Sequence, residues 1–287
     1  MTRLWQLRDR ALTLDHPLVM GIVNVTPDSF SDGGRFLAPE SAVEHATTLL
    51  AEGADILDVG GESTRPQSAE PVPLEEELRR VLPVVRALTA DRPDVVVSVD
   101  TVKAAVADAA LEAGAQIVND VSGLTLDPSM AAVCARRGAG VVVMHSRGGV
   151  SDMATYAHAN YANFLGEMLD ELRERVDAAE DAGVDRERIA VDPGIGFSKR
   201  PEHSLLALAC LERLAAWGYP VVVGASRKRF IGQLTGARDP AQRRDGSVGA
   251  AVAAFDRGAV VLRVHDVGPT RRALDVAAAI RAAGAGA

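Results

Sequence analysis

The sequence is poor in cysteine, in net positive charge and in long apolar runs, and each shortage removes a class of protein. Cysteine occurs only at positions 134 and 210 of 287, both inside helix-like apolar patterns. A disulfide framework or thiolate metal site has no basis there, and both read as packing residues. With 31 Lys and Arg against 39 Asp and Glu, the formal net charge is −8, the wrong balance for a nucleic-acid binder. No stretch reaches the roughly 18 apolar residues of a membrane span. Charges at Arg3, Arg8, Asp9 and Arg10 interrupt the opening before a secretory core forms, so a cytoplasmic enzyme is the expectation. The GxSxG elbow, the HExxH helix, the CxxC pair and a cysteine nucleophile are also missing, which argues against covalent catalysis.

What is present is an ordered repetition. With 47% hydrophobic and 24% charged residues, the chain has the composition of a protein with a substantial core. Eight times an apolar, β-branched stretch ends at polar groups and a helix-like segment follows. These stretches are 18–23 ending at Asn24, 54–57 at Asp58, 95–99 at Asp100, 116–118 at Asn119, 140–143 near His145, 189–191 at Asp192, 221–223 at Ser226 to Lys228, and 259–262 at Arg263 to His265. Short apolar runs alternating with helical patterns predict parallel strands joined by right-handed crossovers, and eight of them predict an α/β fold of the (β/α)8 TIM-barrel type. The spacing predicts helices at 39–53, 73–90, 102–114, 128–138, 156–183, 201–218, 247–258 and 269–283, with a less regular tract at 229–245. One domain over 1–287 is expected, with residues 1–17 as a lead-in across the barrel floor. Two connections, 25–38 and 60–72, are long and rich in Gly, Ser, Thr and Asp, a composition that lets backbone N–H groups turn toward an anion.

Strand C-termini carry the chemistry of such barrels, so the polar ends map a site. Asp100, Asn119 and Asp192 converge on the mouth and must be hydrogen-bonded to something. A heterocycle edge rich in N–H donors would satisfy them, because an ionised Asp only accepts; the alternative for each Asp alone is a helix cap. Arg65, Lys228, Arg263 and His265 form a cationic group that, with Thr64, suits a phosphate-type anion; the alternative is four solvated surface side chains. Asn24, beside the anion loops, is a candidate ligand for Mg²⁺, which favours oxygen donors and substrate phosphate oxygens. A donor-rich ring, an anion and no nucleophile together suit displacement of a phosphate-type leaving group by an external nucleophile.

At this point the chain resembles the dihydropteroate synthase family of folate biosynthesis. The segments MGIVNVTPDSFSDGG at 20–34, DILDVGGESTRP at 55–66, SVDT at 98–101, IVND at 117–120, DPGIGF at 192–197, GASRK at 224–228 and RVHDV at 263–267 stand in the family's order. The resemblance covers essentially 18–280. It implies condensation of 6-hydroxymethyl-7,8-dihydropterin diphosphate with 4-aminobenzoate, giving 7,8-dihydropteroate and diphosphate by an SN1-like displacement. It also implies Asp100, Asn119, Asp192 and Lys228 on the pterin, with Val121, Met144, Phe197 and Gly224 shaping its slot. Asn24, Thr64, Arg263 and His265 would receive the diphosphate, with Mg²⁺ at Asn24. The 4-aminobenzoate would lie against Pro66, Phe197, Ser226 and Lys228. Asp100, Lys228 and Arg263 are the expected catalytic groups.

Two positions depart from the pattern. Gln67 stands where many relatives carry Gly, next to the expected 4-aminobenzoate site, and Val121 is smaller than the Ile often found there. The rivals to this reading are a pterin-dependent methyltransferase domain and a catalytically silent pterin-binding protein. The family is usually dimeric, and the predicted helix at 156–182 and the alanine-rich final helices are candidate surfaces for a homodimer.

Overall fold

Alternation inside each apolar run decides how this chain closes on itself. Successive strand residues point to opposite faces, so each run supplies one row toward the barrel axis and another toward the surrounding helices. The computed structural model describes residues 3–25, 38–63 and 71–285. After a short antiparallel hairpin, β1 (Leu4–Gln6) and β2 (Ala11–Thr13), come eight strands: β3 (Leu18–Asn24), β4 (Ile56–Gly60), β5 (Val96–Asp100), β6 (Ile117–Asp120), β7 (Gly140–Met144), β8 (Ile189–Asp192), β9 (Val222–Val223) and β10 (Val261–Val264). They pair in parallel in the order β8-β7-β6-β5-β4-β3-β10-β9. A parallel bridge between Val191 and Val221 closes the ring, with the Val191 N–H donating to the Pro220 carbonyl at 2.9 Å. The predicted (β/α)8 barrel is the observed fold.

The outward row, including Val19, Val23, Leu57, Val59, Val97, Val99, Val118, Val141, Val143 and Val191, joins the helices in one buried cluster. The inward row begins at the floor with Met20, Ile56, Val96, Ile117, Val142, Ala190, Val222 and Val261, packed with Trp5, Leu7 and Leu14 of the hairpin segment. Trp5 is wholly buried and donates its indole N–H to the Arg188 carbonyl at 2.8 Å. A glycine is required where Leu7 enters, because a Cβ on Gly140 would lie 2.6 Å from Leu7 Cδ2. The hairpin thus seals the end of the barrel opposite the polar strand tips.

The helices are α1 (Ala38–Ala51), α2 (Leu74–Asp91), α3 (Ala104–Glu112), α4 (Met130–Arg137), α5 (Phe164–Asp181), α6 (Pro201–Ala209), α7 (Leu211–Ala215), α8 (Arg229–Thr235), α9 (Arg244–Asp256) and α10 (Val267–Ala285). In three places they correct the sequence expectation. The helix expected from 156 begins at Phe164, because the Asn163 side chain accepts the Gly166 N–H and Glu167 Oε1 takes the N–H groups of Ala162 and Asn163, both at 2.7 Å. That is an N-terminal cap built from the next turn. The segment expected at 201–218 divides at Cys210 into α6 and α7. The tract at 229–245 holds α8, which stops at Gly236 in the left-handed region, and the start of α9. Cys134 is buried in α4, and Cys210 is half-buried between α6 and α7, both as free thiols. No helix among the described residues is long and apolar enough to cross a membrane.

Candidate active site

Two residues above the apolar floor, the inward row changes character. On β4, Asp58 follows Ile56 at this interval; on β5, Ser98 and then Asp100 follow Val96; Asn119 follows Ile117, Asp192 follows Ala190, and Arg263 follows Val261. Asp58, Ser98, Asn119 and Asp192 are all buried, so a single polar layer crosses the barrel just below its mouth. Arg263 ties it together. Its Nε lies 2.6 Å from Asp58 Oδ2 and its Nη2 lies 2.5 Å from Asp100 Oδ2. The Asn119 amide donates to the same Asp58 oxygen at 3.0 Å. Asp192 accepts the Gly194 N–H at 2.6 Å, and Gly194 has to be glycine: its φ is +67° and a Cβ would collide with the His145 carbonyl oxygen.

Burial makes these charges costly. It pushes the Asp100 carboxyl up to about 7 against the pull of Arg263, with Asp58 and Glu77 reinforcing the rise. It pushes Asp192 up to about 6 although Gly194 N–H and Lys228 oppose it. Lys228 is driven down to about 7 by the same desolvation and by Arg263, while Asp192 and Asp100 partly restore it. Of the two cations Arg263 moves the other way and rises: desolvation would lower it, and Asp58 and Asp100 reverse that. A bound ring that donates to the carboxylates and accepts from Lys228 would relieve this stress, because it replaces lost water with directed hydrogen bonds.

Beside the polar layer lies an apolar slot of Val102, Val121, Met144, Met153 and Phe197, all buried together. Lys228 Nζ stands 4.0 Å from the centre of the Phe197 ring, a cation held over an aromatic face. Gly196, at φ +79°, lets the lysine stem cross close by, since a Cβ there would lie 3.0 Å from Lys228 Cδ. Gly224 faces Arg263 at the top of β9. Around the rim, His265 Nδ1 and Ser226 Oγ are 3.0 Å apart. Arg227, next to them, is turned away into a bidentate pair with Asp266 at 3.0 and 2.7 Å.

A profile described as pterin binding enzyme matches residues 20–265. The Xanthomonas albilineans dihydropteroate synthase with 4-aminobenzoic acid is 48% identical, with a TM-score of 0.91 over 98% of this chain and 99% of that one. This chain belongs to the dihydropteroate synthase family of pterin-binding enzymes. The same Xanthomonas enzyme in complex with 7,8-dihydropteroate superposes with a TM-score of 0.87 at 46% identity, covering 97% of this chain and 99% of that one. The dihydropteroate synthase of Synechocystis is 45% identical over 249 residues, 87% of this chain and 85% of its own length.

For this dihydropteroate synthase family member, the barrel brings Asp100, Asn119, Asp192, Lys228 and Arg263 into one layer, with Val121, Met144 and Phe197 in the adjoining slot and Ser226 and His265 on the rim. Asn24 stands at the end of β3, paired in register with Gly60. Thr64, Arg65 and Pro66, with most of both long loops, lie outside the described residues. Two participants escaped the sequence reading, and a third, Asp58, was read there as the polar end of a strand but given no role. Asp58, the carboxylate that anchors Arg263 and Asn119, had the same two-residue interval above the floor as Asn119 and Asp192, and that interval was the available signal. Val102 and Met153 complete the apolar slot, but Met153 sits in the long β7–α5 connection, where no periodicity points to the barrel axis.

Proposed function

We propose that this chain condenses 6-hydroxymethyl-7,8-dihydropterin diphosphate with 4-aminobenzoate, giving 7,8-dihydropteroate and diphosphate. The observation that carries this reading is the layer of acceptors, buried Asp58, Asn119 and Asp192 with half-buried Asp100, set beside Lys228 and Arg263 at one barrel mouth. Asp100, Asn119 and Asp192 take the N–H edge of the pterin, Lys228 donates to its acceptor side, and Val121, Met144 and Phe197 hold its faces, with Gly224 leaving room at the wall. Asn24, Thr64, Arg263 and His265 receive the diphosphate. In an SN1-like step the bond from the exocyclic methylene to the diphosphate oxygen breaks and its electron pair leaves with the diphosphate. The nearby Asp100 carboxylate favours the cation left on the pterin. The nitrogen of 4-aminobenzoate, seated against Pro66, Phe197, Ser226 and Lys228, then forms the new C–N bond and releases its proton to solvent.

Mg²⁺ fits the donors only as a substrate-borne ion. Among the described residues no group of three or more His, Cys, Asp or Glu is placed to hold a metal, whereas the Asn24 amide oxygen is one hard donor at the anion side, and Mg²⁺ takes its remaining ligands from phosphate and water. Bound there by Asn24, the ion would neutralise the leaving group. The reading also puts the enzyme in the cytoplasm, because a doubly phosphorylated substrate does not cross a bilayer unaided; cell fractionation checks this.

A homodimer completes the proposal. Leu205 and Leu206 on α6, Leu234 on α8, and Val276 and Ile280 on α10 are exposed apolar side chains on helices linked through α9, and a two-fold contact pairs like faces of two copies. No exposed large hydrophobic lies on α5 among the described residues, which moves the expected surface away from that helix. Ile280→Glu should convert the species seen in sedimentation to a monomer. The decisive assay for activity is diphosphate release with and without 4-aminobenzoate. Release that depends on both substrates supports the synthase; its absence favours a methyltransferase or a silent pterin-binding protein.

A further inference from the structure

Lys199 is the only lysine or arginine among the described residues that is fully buried, at 1% exposure, and no step of the proposed reaction uses it. Its Nζ lies within hydrogen-bond reach of three acceptors: His145 Nδ1 at 2.7 Å, the Phe197 carbonyl at 3.1 Å and the His145 carbonyl at 3.3 Å. Since the ionised Glu171 carboxylate only accepts, the imidazole proton sits on Nε2 and Nδ1 carries the lone pair that takes a Lys199 hydrogen. That N–H points at Glu171 Oε2, 3.0 Å away. Glu171 is held down to about 2: burial raises it, and hydrogen bonds from His145 and Arg147 overcome that. A carboxylate–imidazole–lysine chain therefore runs from α5, where Glu171 is half-buried, inward to the end of β8 and the loop after it, which carry Asp192 and Phe197.

That loop is fastened to the end of β7 at every point where it bears on the pterin side. The His145 N–H donates to the Asp192 carbonyl at 2.9 Å, Gly194 packs directly on the His145 carbonyl, and Lys199 bridges that same carbonyl to the carbonyl of Phe197. The Phe197 ring in turn underlies Lys228. Burial holds the Lys199 pKa well below its ordinary value, and Asp192 is the foremost charge opposing the fall, so the segment's amine and carboxyl are electrostatically linked as well as joined through its backbone.

Building on the pterin-binding role proposed above, we infer that Lys199, backed by His145 and Glu171, is a positioning residue that sets Asp192 and Phe197 for the pterin ring, so that pterin affinity and not stability alone depends on it. Around metal sites, groups one layer behind the ligands commonly change affinity by about 10–100-fold when removed, and the low end of that scale is the expectation for the pterin ring. The test titrates 6-hydroxymethylpterin, a ring that cannot react, into the full chain by calorimetry. Lys199→Met, which keeps the length and removes the hydrogen-bonding amine, should weaken binding by about tenfold or more, and Glu171→Gln, at the outer end, by about threefold. A lysine with only a structural role would lower Tm and leave the affinity of the folded protein unchanged; that result for Lys199→Met overturns the inference. If Lys199→Met does not fold, wild-type affinity in Glu171→Gln overturns it instead. Diphosphate release by the unaltered chain is measured alongside. No release defeats the proposed function, whereas release together with unchanged pterin affinity in the variants defeats only the role of Lys199.

Discussion

The two ends of this barrel are built on the same eight strands and do opposite work. At the floor, Met20, Ile56, Val96, Ile117, Val142, Ala190, Val222 and Val261 pack with Trp5, Leu7 and Leu14 of the hairpin segment; every group there gains by leaving water. At the mouth, Asp58, Asp100, Asn119, Asp192, Lys228 and Arg263 are taken out of water with incomplete replacement, and Asp58 Oδ1 and Ser98 Oγ have no hydrogen-bond partner among the described residues. The contrast teaches that the floor stabilises and the mouth costs, and that the cost is concentrated where a ligand can offset it.

The comparison is sharpened most by removing a floor anchor. Trp5→Ala should lower stability by about 3–5 kcal/mol in denaturant unfolding, the usual loss for deleting a buried aromatic, while leaving the turnover of the molecules still folded close to wild type. A matching loss of turnover at full stability would merge the two ends and break the contrast. Lys228→Ala, Asp192→Ala and Arg263→Ala should do the reverse. Each should reduce diphosphate release by about a hundredfold, the scale of one charge-assisted contact of about 1.5–3 kcal/mol, with an unchanged circular dichroism spectrum; near-normal release in any of them removes that residue from its assigned role.

Asp192→Asn tests whether the mouth really costs stability. Its carboxyl is raised to about 6 in the folded chain, above its unfolded value, so the folded state holds the proton more tightly and this group's contribution is lost as pH rises through 6. The ligand-free Asn variant should therefore be more stable than wild type at pH 8, by about 1–3 kcal/mol after allowing for the lost attraction to Lys228. The gap should close as pH falls toward 4. A variant that is less stable than wild type at pH 8 would show Asp192 to be a stabilising group and contradict the costly mouth. The smallest effect is expected in the slot: Met153→Leu, nearly volume-conserving, should change stability by less than about 1.5 kcal/mol and register mainly as weaker 6-hydroxymethylpterin binding in titration.

Much of this was legible beforehand because strand periodicity is local. The apolar runs ending at Asp100, Asn119 and Asp192 announced both the barrel and the acceptor layer, and GASRK and RVHDV announced Lys228 and Arg263. Expectations went astray where a local cap overruled a pattern, as when Asn163 and Glu167 delayed the helix expected from 156, or where one residue ended a helix early, as at Cys210. Arg263 was read as an anion receiver, and its attachment to Asp58 and Asp100 was not visible, because those partners lie 205 and 163 residues away.

By itself the sequence determined which side chains face the axis and which face the helices, since backbone geometry repeats every two residues and needs no distant partner. Only the closed ring decided which of those inward groups meet: Asp58 with Arg263 and Asn119, Phe197 with Lys228, Lys199 with His145. Charge pairing acts through space at a few ångströms, and these residues reach that range only through strand pairing: Asp58 and Arg263 across β3, which pairs with both β4 and β10, His145 and Lys199 across β7 and β8, and Phe197 and Lys228 across the join of β8 to β9.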